Sequence, residues 1–162
     1  MNKQLLIISI CLIGMIISLN SSWAAPSTFG ALSPQQIGDL LKRLNQTHET
    51  KTLRSGEPIY LLKSNGARAI VSGLLCKEDG CHTIRVSSVF SVTLSDGLEL
   101  LNEWNSNHRF SRAYIDSDND VMLVADIDLD GGITDQDAQL FFEIFLDQLG
   151  DFRQALQRGV AQ

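Results

Sequence analysis

The stretch Arg68-Ala69-Ile70-Val71-Ser72-Gly73-Leu74-Leu75-Cys76-Lys77-Glu78-Asp79-Gly80-Cys81-His82-Thr83-Ile84-Arg85-Val86-Ser87-Ser88-Val89-Phe90-Ser91-Val92 decides how this chain folds. In its second half Ile84, Val86, Ser88, Phe90 and Val92 alternate with Thr83, Arg85, Ser87 and Val89. A period of two is that of a strand with one face buried. Lys77-Glu78-Asp79-Gly80 is a polar four-residue turn, so Arg68 to Cys76 and Cys81 to Val92 read as a hairpin. Just upstream, Ile59 to Lys63 is a shorter β segment that ends at Asn65-Gly66, a strong two-residue turn signal. Three consecutive strands make an antiparallel meander.

Helix signals flank the meander. Ser33-Pro34-Gln35-Gln36 reads as a helix start, with Ser33 as cap, Pro34 in the first turn and Gln36 closing a capping box. Ile37, Leu40, Leu41 and Leu44 follow on one side, which carries the helix to about Leu44. After the meander, Ser95 to about Asn105 predicts a second helix, capped by Ser95 or Thr93. Leu94, Leu98, Leu101 and Trp104 form its apolar side. His108 to Ile115 and Val121 to about Leu129 then predict another hairpin around Asp116–Asp120. The last helix starts at Thr134, with Asp135 and Asp137 favourable at its positive end. Its stripe is Ala138, Phe141, Phe142, Phe145, Leu149, Phe152 and Leu156. The order α-β-β-β-α-β-β-α specifies an α+β domain, one antiparallel sheet packed on helices.

The chain of 162 residues opens on Lys3, an apolar run from Leu5 to Leu19, and then Ser22-Trp23-Ala24. This pattern is a secretory signal peptide over residues 1–24, with the small residues Ser22 and Ala24 set for cleavage after Ala24. The run is short of the roughly 18 apolar residues that a membrane span needs. The expected organisation is signal peptide 1–24, an irregular lead-in 25–32, one domain 33–158 and a tail 159–162. The expected location is the periplasm. Loss of Lys3 moves the formal net charge from −6 to −7. The excess is local, because Asp116 to Asp137 holds eight aspartates and no Lys or Arg. Such a balance argues against nucleic acid or an anionic membrane as partner, since both select basic faces. Cys11 leaves with the signal, and Cys76 and Cys81 remain as an even pair bound for an oxidising compartment, where a disulfide is expected.

The segment Asn102-Glu103-Trp104-Asn105-Ser106-Asn107-His108-Arg109-Phe110-Ser111-Arg112-Ala113-Tyr114-Ile115-Asp116 resembles the signature of the YbjN-domain family, with Ile115 in place of Leu. Exported members also carry a Cys pair on an earlier hairpin and a stretch like Asp126–Thr134 before the last helix. The similarity runs from residue 33 to about 156. One departure is Phe141-Phe142-Glu143-Ile144-Phe145, where many relatives place a Trp. The family is labelled a bacterial sensory transduction regulator, and its fold is similar to that of type III secretion chaperones. Those are non-enzymatic, often dimeric, and bind extended segments of other proteins. The resemblance therefore implies a binding role, with another polypeptide or a second copy as partner, and brings no catalytic residues.

Residue chemistry leaves two functional classes open. Asp126-x-Asp128-x-Asp130-Gly131, followed by Asp137, has the spacing of a calcium loop and looks like the dockerin variant of it. Alternate carboxylates converge, glycine permits the sharp turn, and an acid from the next helix closes the cage. Against it, position twelve is Asp rather than a bidentate Glu, and the preceding segment reads as strand. The other class is a protein-binding module. On the last strand Met122 and Val124 point away from the expected core, as Val89 does beside Thr83, Arg85 and Ser87. A solvated antiparallel face is normally polar, so apolar residues there mark an interaction surface. Arg109, with Trp104, Asn105 and Phe110, either joins such a surface or stands beside a helix-to-sheet anchor. No nucleophile turn, H-E-x-x-H or phosphate loop accompanies His48, His82 and His108, and no cofactor is expected apart from calcium in the first class.

Overall fold

The computed structural model describes residues 27–64, 66–94 and 97–159. The expected signal peptide and residues 160–162 lie outside them, as do Asn65 and Ser95. In chain order the elements are β1 (Thr28–Phe29), α1 (Pro34–Arg43), β2 (His48–Thr52), β3 (Pro58–Ser64), β4 (Ala67–Lys77), β5 (Gly80–Phe90), α2 (Gly97–Asn107), β6 (Arg112–Ile115), β7 (Val121–Asp128), β8 (Ile133–Thr134) and α3 (Asp135–Gly159). One antiparallel sheet has the order β2-β3-β4-β5-β7-β6, and β1 pairs with β8 apart from it. The α+β class and the order of the long elements are those read from the sequence.

Three short strands are additions. Apart from half-buried His48, every residue of β2 is exposed, so it has no apolar alternation to betray it. What holds it is its antiparallel ladder to β3, from His48 opposite Leu62 to Thr52 opposite Pro58. The lead-in is also partly ordered. Thr28 and Phe29 pair with Thr134 and Ile133, and Leu32 exchanges two backbone hydrogen bonds with Cys81, at 3.1 and 2.8 Å.

The capping box at Ser33 forms as its spacing requires. Ser33 Oγ accepts from the Gln36 backbone N–H, and Gln36 Oε1 accepts from that of Ser33. Helix α1 lies flat on β3 because Gly38 leaves room for a ring. A Cβ there would fall 2.6 Å from Tyr60, whose hydroxyl donates to the Pro34 carbonyl. At the start of α3, Thr134 Oγ1 accepts from the Asp137 N–H while Asp137 Oδ2 accepts from the Thr134 N–H and hydroxyl. That is a capping box with Asp as its acid.

The core sits between the helices and one face of the sheet. Ile37, Leu40 and Leu41 of α1, Leu101 and Trp104 of α2, and Phe142, Phe145 and Phe152 of α3 meet Val71, Ile84, Val86, Leu123 and Ala125. Leu98 departs from the expected stripe and is 74 % exposed. It lies roughly 120° around the helix from Trp104, beyond the arc that faces α3 and β6. Among the described residues no helix is long and apolar enough to cross a membrane.

Candidate protein-binding face

Side chains alternate along a strand, so the sheet has a second face. On β5 it carries Thr83, Arg85, Ser87 and Val89. Register extends it sideways. Ser87 stands opposite Ile70 of β4 and Val124 of β7, and Val124 stands opposite Arg112 of β6. Ile70 in turn faces Leu61 of β3. In the next row Val89 opposes Met122, which opposes Tyr114. None of these residues belongs to the core cluster, and the helices that build that cluster pack on the other side. Among the described residues this face carries no helix.

Met122 is half-buried and Val89 is 43 % exposed, so both remain accessible. Val124 does not, at 1 % exposed, which corrects its expected place on an interaction surface. The cover is an ion network. Asp126 Oδ1 and Oδ2 accept from Arg85 Nε and Nη2 at 2.7 and 2.9 Å, and Arg112 Nη2 donates to Oδ2 at 3.0 Å. Arg112 starts opposite Val124 and ends on Asp126, so its aliphatic stem runs along the valine. Hydrogen bonds from Arg85 hold the Asp126 carboxyl below its ordinary pKa against a desolvation that would raise it, and Arg112 adds to the lowering.

The same network bears on the calcium spacing, whose four aspartates have separate engagements. Asp126 is held by two arginines. Asp128 Oδ1 accepts from the Asp130 N–H, as in an Asx turn. Asp130 Oδ1 lies 2.5 Å from His82 Nδ1, whose Nε2 lies 3.1 Å from Asp79. Asp137 caps α3, and its bonds from Thr134 lower its pKa. Among the described residues no group of three or more His, Cys, Asp or Glu side chains is placed to hold a metal ion. A helix cap and a strand end use the same carboxylates that a calcium loop would.

The signature around Trp104 has a structural account. Trp104 is buried, donates from Nε1 to Ser111 Oγ, stacks on His108 and meets Phe152 edge-on. The Asn105 side-chain amide accepts from the Ala113 N–H at 2.7 Å and donates to the Ala113 carbonyl at 2.9 Å. It thus occupies backbone groups on the free edge of β6, as a partner strand would. Phe110 is 60 % exposed, and Arg109 is exposed beside it. A cleft of about 580 Å³ opens between α2 and α3, lined by Glu99, Glu103, Asp151 and Arg158 among others, on the helical side of the molecule. Cys76 and Cys81 stand opposite each other at the end of the β4–β5 ladder and are bonded, with Cys81 fully buried.

Sequence reasoning passed over Arg85 and Arg112 as site residues. The alternation in β5 placed Arg85 on the outer face, but its pairing with Asp126 across β5 and β7 joins residues 41 positions apart.

With three helices on one face of an antiparallel sheet, and a second face that carries apolar and basic side chains, the chain is an α+β module. The sequence profile of the YbjN family, described as "Putative bacterial sensory transduction regulator", matches residues 33–158. The chain belongs to that family. Among solved structures, it is similar to the Yersinia pestis type III secretion chaperone SycH, determined in complex with a stable fragment of YscM2. That likeness has 12% identity and a TM-score of 0.49, and covers 76% of this chain and 97% of that one. No curated protein sequence matches the chain.

Proposed function

We propose that this protein is a non-enzymatic, exported regulatory module that binds another polypeptide, or a second copy of itself, on the open face of its sheet. The observation that carries the reading is the accessible row Val89, Met122 and Tyr114 on a sheet face that carries no helix among the described residues. Membership of a family described as a sensory transduction regulator agrees with it. The three histidines have structural partners: the Gln46 carbonyl for His48, Asp79 and Asp130 for His82, and the Trp104 carbonyl for His108. The reading calls for no cofactor.

Export to the periplasm rests on the leader over residues 1–24, and the bonded Cys76–Cys81 pair agrees with an oxidising compartment. Intact mass of the periplasmic protein should correspond to a chain that begins at Ala25 and lacks free thiols. The binding reading is tested with the double variant Val89→Asp, Met122→Asp. Cross-linking and light scattering should show loss of the complex or dimer formed by wild type. A complex that survives both substitutions places the surface elsewhere.

A further inference from the structure

The open face is unevenly charged. Lys63 and Arg68 stand opposite each other on β3 and β4, both exposed. Among the described residues neither side chain forms an ion pair or hydrogen bond. Glu49, whose carboxyl senses Lys63, is already paired with Lys51. The Ser88 hydroxyl donates to the Arg68 carbonyl, which puts Arg68 beside the end of β5 where Val89 lies. Val89, Met122 and Tyr114 then continue across β5, β7 and β6. Asp126 is taken by Arg85 and Arg112, and Asp128 sits at the far end of the face, accepting from Asp130. In a chain of net charge −6, this row runs from two cations without ion pairs to three apolar side chains.

We propose that the row Lys63–Arg68–Val89–Met122–Tyr114 docks one amphipathic helix of a partner polypeptide, acidic at one end of its contact side and apolar at the other. The charge follows from complementarity to Lys63 and Arg68. The helix follows from what the face offers. A sheet face presents side chains and no backbone donors or acceptors, so an apolar occupant must satisfy its own backbone, and a helix does so. Five strands at about 4.8 Å spacing span roughly 19 Å. A helix of about 13 residues at a rise of about 1.5 Å covers that distance.

This inference rests on the open face being the binding surface, and its test separates the two. The probes are two fluorescein-labelled, alanine-based helical peptides of about 14 residues. One carries three Glu at one end and Leu and Phe at the other, on a single side; its counterpart carries Lys for Glu. Anisotropy should show the Glu peptide binding at least about tenfold more tightly to wild type, with the advantage shrinking in high salt. The charge-reversed variant Lys63→Glu, Arg68→Glu should prefer the Lys peptide. Equal binding of both peptides, binding of neither, or a preference untouched by charge reversal overturns the inference. So does competition by DNA or by anionic phosphatidylserine vesicles, or a wild-type dimer by light scattering that Met122→Asp converts to monomer. If Val89→Asp, Met122→Asp abolishes a complex that charge reversal leaves intact, only the acidic helix is refuted. If neither pair disturbs a complex, the open face itself is refuted.

Discussion

The two faces of the six-stranded sheet come from the same strands and differ in how they exclude water. On the covered face, three helices deliver large apolar side chains, and Phe142 and Phe152 lose all contact with solvent. On the open face no such layer exists among the described residues, yet Val124 is as well buried as a core residue. There the cover is the stem of Arg112, which starts opposite Val124 and is drawn along the strand by Asp126. Two residues further along the same strand, Met122 lacks that cover and stays half-buried. The lesson is that an open sheet face can be sealed locally by an ion network and left adhesive just beyond it.

The largest test of this contrast is on the covered side. Phe152→Ala removes a ring that meets Phe90 and Trp104, and should cost about 3–5 kcal/mol in chemical denaturation. A loss below about 1 kcal/mol would mean that α3 repacks freely, which would remove the distinction between the faces.

Next comes the sealed spot. Val124→Ala should cost about 2 kcal/mol, the transfer of two methyl groups plus a small cavity. Met122→Ala, on the same strand and face, should cost clearly less. Equal losses would show that the Arg112 stem protects nothing.

The network itself is worth less, because its ends meet water and the Asp126 side chain is 24 % exposed. Asp126→Asn should cost about 1 kcal/mol at neutral pH. The folded pKa of Asp126 is depressed, so this stabilisation is present in full above the ordinary value of 3.8 and is lost as pH falls through the lowered one. Melting curves of wild type and variant should therefore converge in acid. A constant gap at every pH would point to packing rather than charge.

The smallest effect on stability belongs to the adhesive spot. Val89→Asp alone should change stability by only about 0.5 kcal/mol, since that side chain is 43 % exposed, while weakening partner or self-association. Substantial unfolding would mean that this side chain is structural.

Much of the fold was legible because it is local. The capping box at Ser33 needs four consecutive residues, and the β5 alternation needs ten. Strand β2 was not legible, since His48-Glu49-Thr50-Lys51-Thr52 has neither period nor apolar residue and is a strand only because β3 offers it a ladder. Leu98 was misassigned to the buried side because a helix stripe shows direction and not how wide the neighbouring surface is. The candidate site was half legible. Alternation put Val89, Met122 and Val124 on the outer face, but it could not tell which of them solvent reaches.

By itself, then, the sequence determined the order of the long elements, the starts of α1 and α3, the cysteine pair and the side of each residue on β5 and β7. These follow from backbone periods of 2 and 3.6 and from short-range hydrogen bonds. Tertiary structure alone set the hydrogen-bond partners of the aspartates. Asp126, Asp128, Asp130 and Asp137 share the spacing of a calcium loop, and spacing fixes only what could converge. Arg85, Arg112, His82 and Thr134 lie on other strands or turn back from a helix start, and these neighbours take three of the four carboxylates. A charged group goes to the partner that folding brings closest, and for Asp126 the nearest cation is 41 residues away in sequence.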